Sequence, residues 1–512
     1  MEKQKKEEAQ NFNMQVSKEL VQKVIEICKR RAIIFPTAEI YGGLAGFFDY
    51  GPVGLRIKRK LVNYWREFFV SREENIFEIE GSIVLPEKVL EASGHVKSFV
   101  DPITQCKKCK SLFRADHLIE DKTGKFVEGL SCEELTKIIK KEGIRCPNCK
   151  GELSEVRLFN LLLKTQIGPV EGKIAYLRPE TAQTIFIDFK RVFRAMRGKL
   201  PFGIAQVGYS FRNEISPRRF LIRLRGFQQM EIEMFLDPEK LNDCPRFKEV
   251  ENVKIRILTR EAQKKGEKEI EITVKEAFEK GIVPNKWMLY FMAKEWLWLK
   301  SLGIPENAMR FRHMLPEETP HYSKGNFDLE IKFDFGWKEC IGNAMRSDYD
   351  LSRHSEFSKE DLSVTTEDGR KVIPHVVEPS FGIERPFFAI LLYNFREDNR
   401  GWSWFSFPPK IAPYLAAVFP LVKKDGLPEK AREVYEMLRK CYSDDIIYDE
   451  KDSIGKRYAR CDEIGVPFCI TIDYQTLEDN TVTIRFRDTT QQIRVKIENL
   501  VNKLWELREA KI

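Results

Sequence analysis

No uncharged apolar run of about 18 residues, the length a bilayer-spanning helix needs, occurs anywhere in the chain, so no transmembrane helix is expected. The charged stretch Met1–Gln10 lacks the apolar centre of a secretory leader, and no targeting segment is expected there. Cysteine is sparse. Eleven in 512 residues do not make a disulfide scaffold, and a reducing, cytoplasmic compartment fits them best. Charge of one sign is scarcely in excess: 86 basic residues against 78 acidic ones leave +8. That balance is compatible with a polyanionic partner without arguing for one. No Ser-His-Asp or Cys-His arrangement presents itself, which points away from covalent hydrolysis and toward transfer run by positioning and electrostatics.

What is present is substantial. At 512 residues and 42% hydrophobic composition the chain can bury several cores, about three domain-sized units by length. Gly208 to Arg218 reads as one arm and tip of a hairpin, with Arg212 and Glu214 at its mouth. An alternating run from Leu221 to Phe235 returns from it, and a period of two puts alternate residues on opposite faces. Ile222, Leu224, Gly226, Gln228, Met230, Ile232 and Met234 form a largely apolar face. The opposite parity carries Arg223, Arg225, Phe227, Gln229, Glu231 and Glu233. An amphipathic surface strand with inter-strand salt bridges accounts for this pattern, and so does a ligand platform. On the second reading Arg212 grips a phosphate in bidentate fashion, Phe227 stacks a purine, and Arg223 and Arg225 lie near the polyphosphate.

Other residues extend the platform. Glu180, Glu231 and Glu378 lie on three separate elements in apolar surroundings, and if they converge a metal or an ammonium group must offset their repulsion. Glu339 is a candidate metal ligand and Arg346 a further anion clamp. Arg385 falls near the start of an apolar helix, where a cation gains nothing from the helix dipole and a bound anion resolves the conflict. Cys106-x-x-Cys109 and Cys146-x-x-Cys149 have the spacing of two zinc knuckles, and four thiolates suit closed, structural tetrahedral Zn2+. Free thiols of a site that has lost its metal are the competing reading, with Cys132 and His117 as alternative ligands between the pairs.

The organisation is legible in outline. A basic helix over 16–34 and a turn-rich segment, Tyr41–Gly54, precede a helix whose Leu55, Leu61, Trp65, Phe68 and Phe69 serve either a domain surface or a subunit contact. The polar stretch 101–155 and the lysine- and glutamate-rich stretch from about 240 to 305 read as insertions. Beyond the proline-rich hinge at 406–413, strands alternate with helices as in a small α/β domain with a mixed or partly parallel sheet.

These residues carry a resemblance that runs almost end to end. Tyr41–Gly54, Arg178-Pro-Glu-Thr-Ala-Gln183, Phe211-Arg-Asn-Glu-Ile-Ser-Pro-Arg218, Glu378-Pro-Ser-Phe-Gly382 with Arg385, Ser453–Tyr458 and Asp462–Phe468 resemble the dimeric, class II glycyl-tRNA synthetase family. The resemblance implies an α+β protein: an antiparallel-sheet class II catalytic domain with insertions over 1–408, and an α/β anticodon-binding domain over 409–512. It implies a homodimer joined around Gly51, Pro52 and the following helix, with tRNA(Gly), ATP, Mg2+ and glycine as partners. Arg212 would meet the α-phosphate, Glu214 the adenine amino group, Phe227 the adenine face and Arg385 the γ-phosphate, while Glu339 helps hold magnesium. Glu180, Glu231 and Glu378 would surround the glycine ammonium, with Ser380 where a side chain would enter. Arg457, Arg460, Arg485 and Arg487 are candidate tRNA contacts. Departures from the family pattern are Gly226 in place of glutamate, expected to carry a packing cost, together with Thr184, Met345, Ala459, Cys461 and Phe486. The competing functional readings are a non-aminoacylating, tRNA- or nucleotide-binding regulator and a class II synthetase for alanine, serine or proline.

Overall fold

The computed structural model describes residues 16–510 except 125, 126, 128, 170, 171, 218, 320–322 and 324. Met1–Gln10 and Arg218, both used in the sequence reading, lie outside the described residues. Strands are numbered below within the two main sheets only.

A nine-stranded sheet organises most of the chain. Its strands are β1 (Ile76–Ile79), β2 (Phe202–Phe211), β3 (Gly226–Leu236), β4 (Lys254–Leu258), β5 (Ile270–Thr273), β6 (Met309–His313), β7 (Asn326–Phe333), β8 (Gly336–Ser347) and β9 (His375–Gly382). Their order is β5-β4-β6-β7-β8-β9-β3-β2-β1. The run from β6 to β2 is antiparallel throughout, with parallel pairings only at β4–β6 and β2–β1. The hairpin is β2–β3, paired from Phe202↔Phe235 to Phe211↔Gly226. The segment expected as a second insertion supplies edge strands β4 and β5 and so widens this sheet.

Helices cover both faces. On one side, α1 (Lys18–Arg30), α2 (Pro52–Trp65), α4 (Lys286–Ser301) and α6 (Glu384–Asn394) enclose Met230, Ile232 and Met234 in the largest core. The apolar stripe of α2 is satisfied there within the chain, with Leu61 and Trp65 fully buried. On the other side, α3 (Ala182–Ala195) repeats Ile185, Phe186, Phe189 and Phe193 at helical spacing. Phe189 stacks on Phe235 at 4.1 Å between ring centroids and Phe193 meets Phe202 edge-on at 5.1 Å. Full burial of each such ring stabilises the fold by about 1.5–3 kcal/mol. α5 (Tyr349–Ser358) packs beside α3 through Leu351. The polar parity of β3 is therefore not a surface. It is roofed at the Phe235 end and opens only toward Phe227.

Two departures from the family pattern have structural partners. A Cβ on Gly226 would lie 2.8 Å from the Phe47 ring, so the slot is filled by Phe47 and the expected packing cost does not arise. Thr184 donates to the Thr181 carbonyl at 2.8 Å and accepts from Gln206 at 2.6 Å, and Gly81 opposite has no side chain to obstruct it.

The C-terminal unit is a five-stranded sheet: β10 (Ala416–Pro420), β11 (Ile446–Tyr448), β12 (Phe468–Ile472), β13 (Thr481–Phe486) and β14 (Gln492–Lys496), ordered β11-β10-β12-β13-β14. β10 is parallel to both neighbours while β12–β13 and β13–β14 are antiparallel, a mixed sheet as expected. α7 (Leu427–Tyr442), α8 (Ile454–Ile464) and α9 (Leu500–Glu509) cover it. Three arginines expected to face tRNA are structural. Arg485 pairs with Asp462 at 2.8 and 2.9 Å, Arg487 donates to the Gly465 and Phe407 carbonyls, and Arg457 caps the Pro420 and Asp452 carbonyls. All three are at most 4% exposed, and only Arg460 is partly accessible, paired with Asp449 and Asp452. Cys461 of α8 packs with Cys469 of β12 in a small core between helix and sheet, Phe486 meets Phe468 edge-on and Met345 packs against the main core. Nothing in the structure explains Ala459. Arg30 at the end of α1 and Arg31 just after it both pair with Glu463, and Lys60 of α2 reaches Asp445 at 2.7 Å, tying the two units together.

Candidate active site

At the open end of the hairpin face lies a cavity of about 330 Å³. Glu180, Glu231, Glu378 and Ser380 line one part of it; Arg212, Glu214, Arg223, Phe227, Asp328, Glu339 and Arg385 line the remainder. The sheet register places the first group, since Glu231 of β3 stands directly opposite Ser380 of β9. Ser380 Oγ donates to Glu231 Oε1 at 2.6 Å, Gln229 donates to Ser380 at 3.3 Å, and Thr181 Oγ1 donates to the other oxygen of Glu231. Both carboxylate oxygens are thus held in place.

Glu231, Glu233 and Glu378 bring carboxylate oxygens within 4.8 Å of one another, all buried. Burial and mutual repulsion push Glu378 and Glu233 well above the ordinary carboxyl range. Glu233 is wholly enclosed and neither oxygen has a hydrogen-bond partner. Glu180 behaves oppositely. Burial raises its carboxyl, but the charges of His95 and Arg346 outweigh that and hold it far below the usual range. It accepts from Gln183 at 2.8 Å and lies 3.5 Å from His95 Nε2.

Arg346 is not an anion clamp. Its guanidinium is 1% exposed, bonded to Asp350 at 2.7 and 3.0 Å and to Glu378 at 3.0 Å, with Glu180 at 3.5 Å. It underpins the carboxylates and leaves nothing to offer a phosphate. Arg225 is also outside the cavity lining, donating to the Glu214 carbonyl at 2.9 Å and the Ala45 carbonyl at 3.1 Å. Its role is to brace the hairpin tip.

The remaining arginines face the cavity. Arg212 donates to the Pro179 carbonyl at 3.2 Å, and its guanidinium lies 5.4 Å from the Phe99 ring and 5.2 Å from the Phe227 ring. Gly208 lets the neighbouring strand receive Arg178, since a Cβ there would lie 1.9 Å from that guanidinium. Arg223 pairs with Glu214 at 3.2 Å. Arg385 donates to the Ile222 carbonyl at 3.0 Å and to Glu339 Oε2 at 3.1 Å. Beside it Glu384 accepts from the Gln228 backbone at 3.1 Å, and burial pushes its carboxyl up to about 7.

Asp328, which the sequence alone did not single out, belongs here too. β7 and β8 set it beside Glu339, and the Cβ position of Gly342 lies 3.9 Å from an oxygen of each. Burial and the Glu339 charge push Asp328 well above its usual range. Burial also raises Glu339, but Arg385 and Lys338 outweigh it and leave its carboxyl low. Two carboxylates side by side at a cavity wall are a donor set that fits a hard divalent cation.

The four expected cysteines gather away from this cavity. All four Sγ atoms lie within 4.8 Å, with Cys106–Cys149 and Cys109–Cys146 each at 3.5 Å. Ligands at about 2.3 Å around tetrahedral zinc stand about 3.8 Å apart, so the set fits the ion. The two knuckles repeat one turn: Lys110 and Lys150 both have positive φ, and their N–H groups donate to the Cys106 and Cys146 carbonyls at 3.0 and 2.9 Å. Cys132 and His117 are not part of the cluster.

Comparison with known proteins agrees with this geometry. Residues 170–395 match the family described as tRNA synthetase class II core domain (G, H, P, S and T), and residues 416–507 match the Anticodon binding domain. The chain is 45% identical to the glycine–tRNA ligase of Pyrococcus furiosus, over 94% of this chain and 98% of that protein. It is 43% identical to the glycine–tRNA ligase of Aeropyrum pernix, with 96% and 97% covered. Against that of Methanothermobacter thermautotrophicus the identity is 42%, with 95% and 99% covered.

Proposed function

The chain belongs to the class II glycine–tRNA ligases, and from that premise we propose how its cavity divides the work. The protein activates glycine with ATP and charges tRNA(Gly). Glu180, Glu231 and Glu378 hold the glycine ammonium. The three buried carboxyls share a single arginine, and the repulsion from Glu231 and Glu180 that helps push Glu378 up is what a bound ammonium group offsets. Ser380, pinned to Glu231, occupies the space a side chain would need. Attraction alone would separate glycine from alanine by only about 1–3 kcal/mol, so selection rests on this filled wall.

Phe227 stacks the adenine and Glu214 meets its amino group. Arg212 takes the α-phosphate, Arg385 the γ-phosphate, and Arg223 the neighbouring phosphate oxygens. Asp328 and Glu339 are the pair suited to hold magnesium, which when bound screens the phosphate charge. A glycine carboxylate oxygen attacks the α-phosphorus, the bond to the bridging oxygen breaks, and pyrophosphate leaves. A ribose hydroxyl of the terminal tRNA adenosine then attacks the carbonyl carbon and AMP leaves. The protein supplies no nucleophile, only alignment and charge.

The observation that carries the reading is the convergence of Glu180, Glu231, Glu378 and Ser380 from separate elements on the same cavity as Arg212 and Arg385. Glycine-dependent pyrophosphate–ATP exchange tests it, and Glu231→Ala is expected to abolish the exchange. A non-aminoacylating regulator has no need of this complete set.

Residues 1–408 form the catalytic unit and 409–512 the anticodon-binding unit on this reading. The cysteine cluster holds structural zinc. The protein is a homodimer: Ile40, Tyr41 and Leu44 are 90%, 87% and 50% exposed on the loop preceding α2, an apolar patch suited to a second copy. Among the described residues no helix is long and apolar enough to cross a membrane.

A further inference from the structure

We propose that His95–Phe99 is a positioning element shared by the two substrates, with His95 acting through Glu180 and Phe99 acting through Arg212. The inference rests on the assignment of Glu180 to the glycine ammonium and Arg212 to the α-phosphate. The segment begins as the short helix His95–Ser98, just before the cysteine-bearing region, and sequence reasoning assigned it nothing.

His95 is 5% exposed, and each of its ring nitrogens has a polar partner: Nδ1 with Ser93 Oγ at 2.8 Å and Nε2 with Glu180 Oε2 at 3.5 Å. Gln183 and Arg346 reach the other oxygen of Glu180 from α3 and β8, so His95 braces the carboxylate on its remaining side. The same imidazole meets the Phe99 ring edge-on at 5.4 Å. Phe99 in turn presents its ring to the Arg212 guanidinium at 5.4 Å, as Phe227 does at 5.2 Å. Two ring contacts on one guanidinium limit where it can swing.

The backbone makes the link stiff. Asn160 donates to the His95 and Val96 carbonyls at 3.3 and 2.8 Å. The Leu161 N–H donates to the Phe99 carbonyl at 2.9 Å, and the Leu161 carbonyl accepts from the Asn213 N–H at 2.7 Å. Asn213 is the residue after Arg212. A single turn of chain thus touches the ammonium carboxylate and the phosphate arginine, and reaches the hairpin tip through Leu161. Neither His95 nor Phe99 lines the cavity, so each acts through the residue it holds.

The test measures both KM values by pyrophosphate exchange, with melting temperature alongside. Phe99→Leu is expected to raise KM for ATP about fivefold and to leave KM for glycine within about twofold, with Phe99→Tyr restoring the wild-type value. His95→Ala is expected to raise KM for glycine about tenfold while KM for ATP holds, and His95→Gln, which keeps a donor, to recover most of the loss. The inference is overturned if both KM values rise together in step with lowered melting temperature, or if the conservative variants rescue nothing. It is equally overturned if neither KM moves while Glu180→Gln and Arg212→Ala raise theirs. If those two controls change nothing, the substrate assignment itself fails and the inference falls with it.

Discussion

Replacing Arg346 by methionine separates two accounts of the site. As an anion clamp, Arg346 would contact ATP, and its loss would raise KM for ATP with little change in stability. The structure gives it a different task. Its side chain is 1% exposed and bonds Asp350 and Glu378, themselves 1% and 7% exposed, with Glu180 within 3.5 Å. Removing one partner of a buried ionic cluster leaves uncompensated charge and costs about 3–5 kcal/mol. Methionine matches the length of the arginine stem, so little of that is cavity formation. Denaturant unfolding of the Arg346→Met protein is therefore expected to show a loss of about 4 kcal/mol in the catalytic unit. Glu180, which Arg346 helps to hold far below the usual carboxyl range, gives up that stabilisation only as pH falls below about 4, so the gap between variant and wild type is level from pH 6 to pH 8 and narrows in acid. KM for glycine rises and KM for ATP stays near the wild-type value. A variant of unchanged stability with KM for ATP raised tenfold or more would refute the reasoning.

Other perturbations follow from the same geometry. Glu233 has its carboxyl raised by burial and by Glu378, so the native state holds a proton that the unfolded chain releases above about pH 4, and its contribution to stability is lost as pH rises through the folded value. Glu233→Gln cannot lose that proton, so its melting temperature should gain on the wild type as pH rises above 5; a flat or shrinking gap contradicts the protonated form. Metal analysis of protein purified without chelator should find about one zinc per chain, lost on replacing Cys106 and Cys149 together; zinc-free, fully folded protein contradicts the site. Ile40→Asp with Tyr41→Asp should convert a dimer to a monomer in sedimentation equilibrium; an unchanged mass, dimeric or monomeric in both proteins, contradicts the proposed patch.

The hairpin was legible because strand periodicity is local: alternate residues of β3 separate without knowledge of anything distant. Its roof was not. That Phe235 and Glu233 are sealed while Phe227 is open depends on α3 and α5 folding over one end, a contact between distant segments. The same limit explains the arginines. Charge and motif position put Arg346 beside Arg385 as equivalent candidates, and only packing sent one under the carboxylates and the other into the cavity. Arg457, Arg485 and Arg487 read as a basic surface, yet each satisfies a buried carbonyl or carboxylate. Gly226 looked like a deficit because Phe47, which fills its place, lies far away in sequence. Asp328 was missed since its pairing with Glu339 needs the β7–β8 register, including the shift at Leu329/Glu330. Where a group is written in short motifs, as in the cysteine knuckles, spacing alone foretold that the four thiols meet.

The central claim is that buried carboxylates and a filled wall select glycine for adenylation. Pyrophosphate–ATP exchange measured with glycine, alanine, serine and proline tests it most directly. The account predicts exchange with glycine alone in the wild type and none with any of the four in Glu231→Ala. Comparable exchange with alanine, or undiminished glycine exchange in the variant, would contradict it.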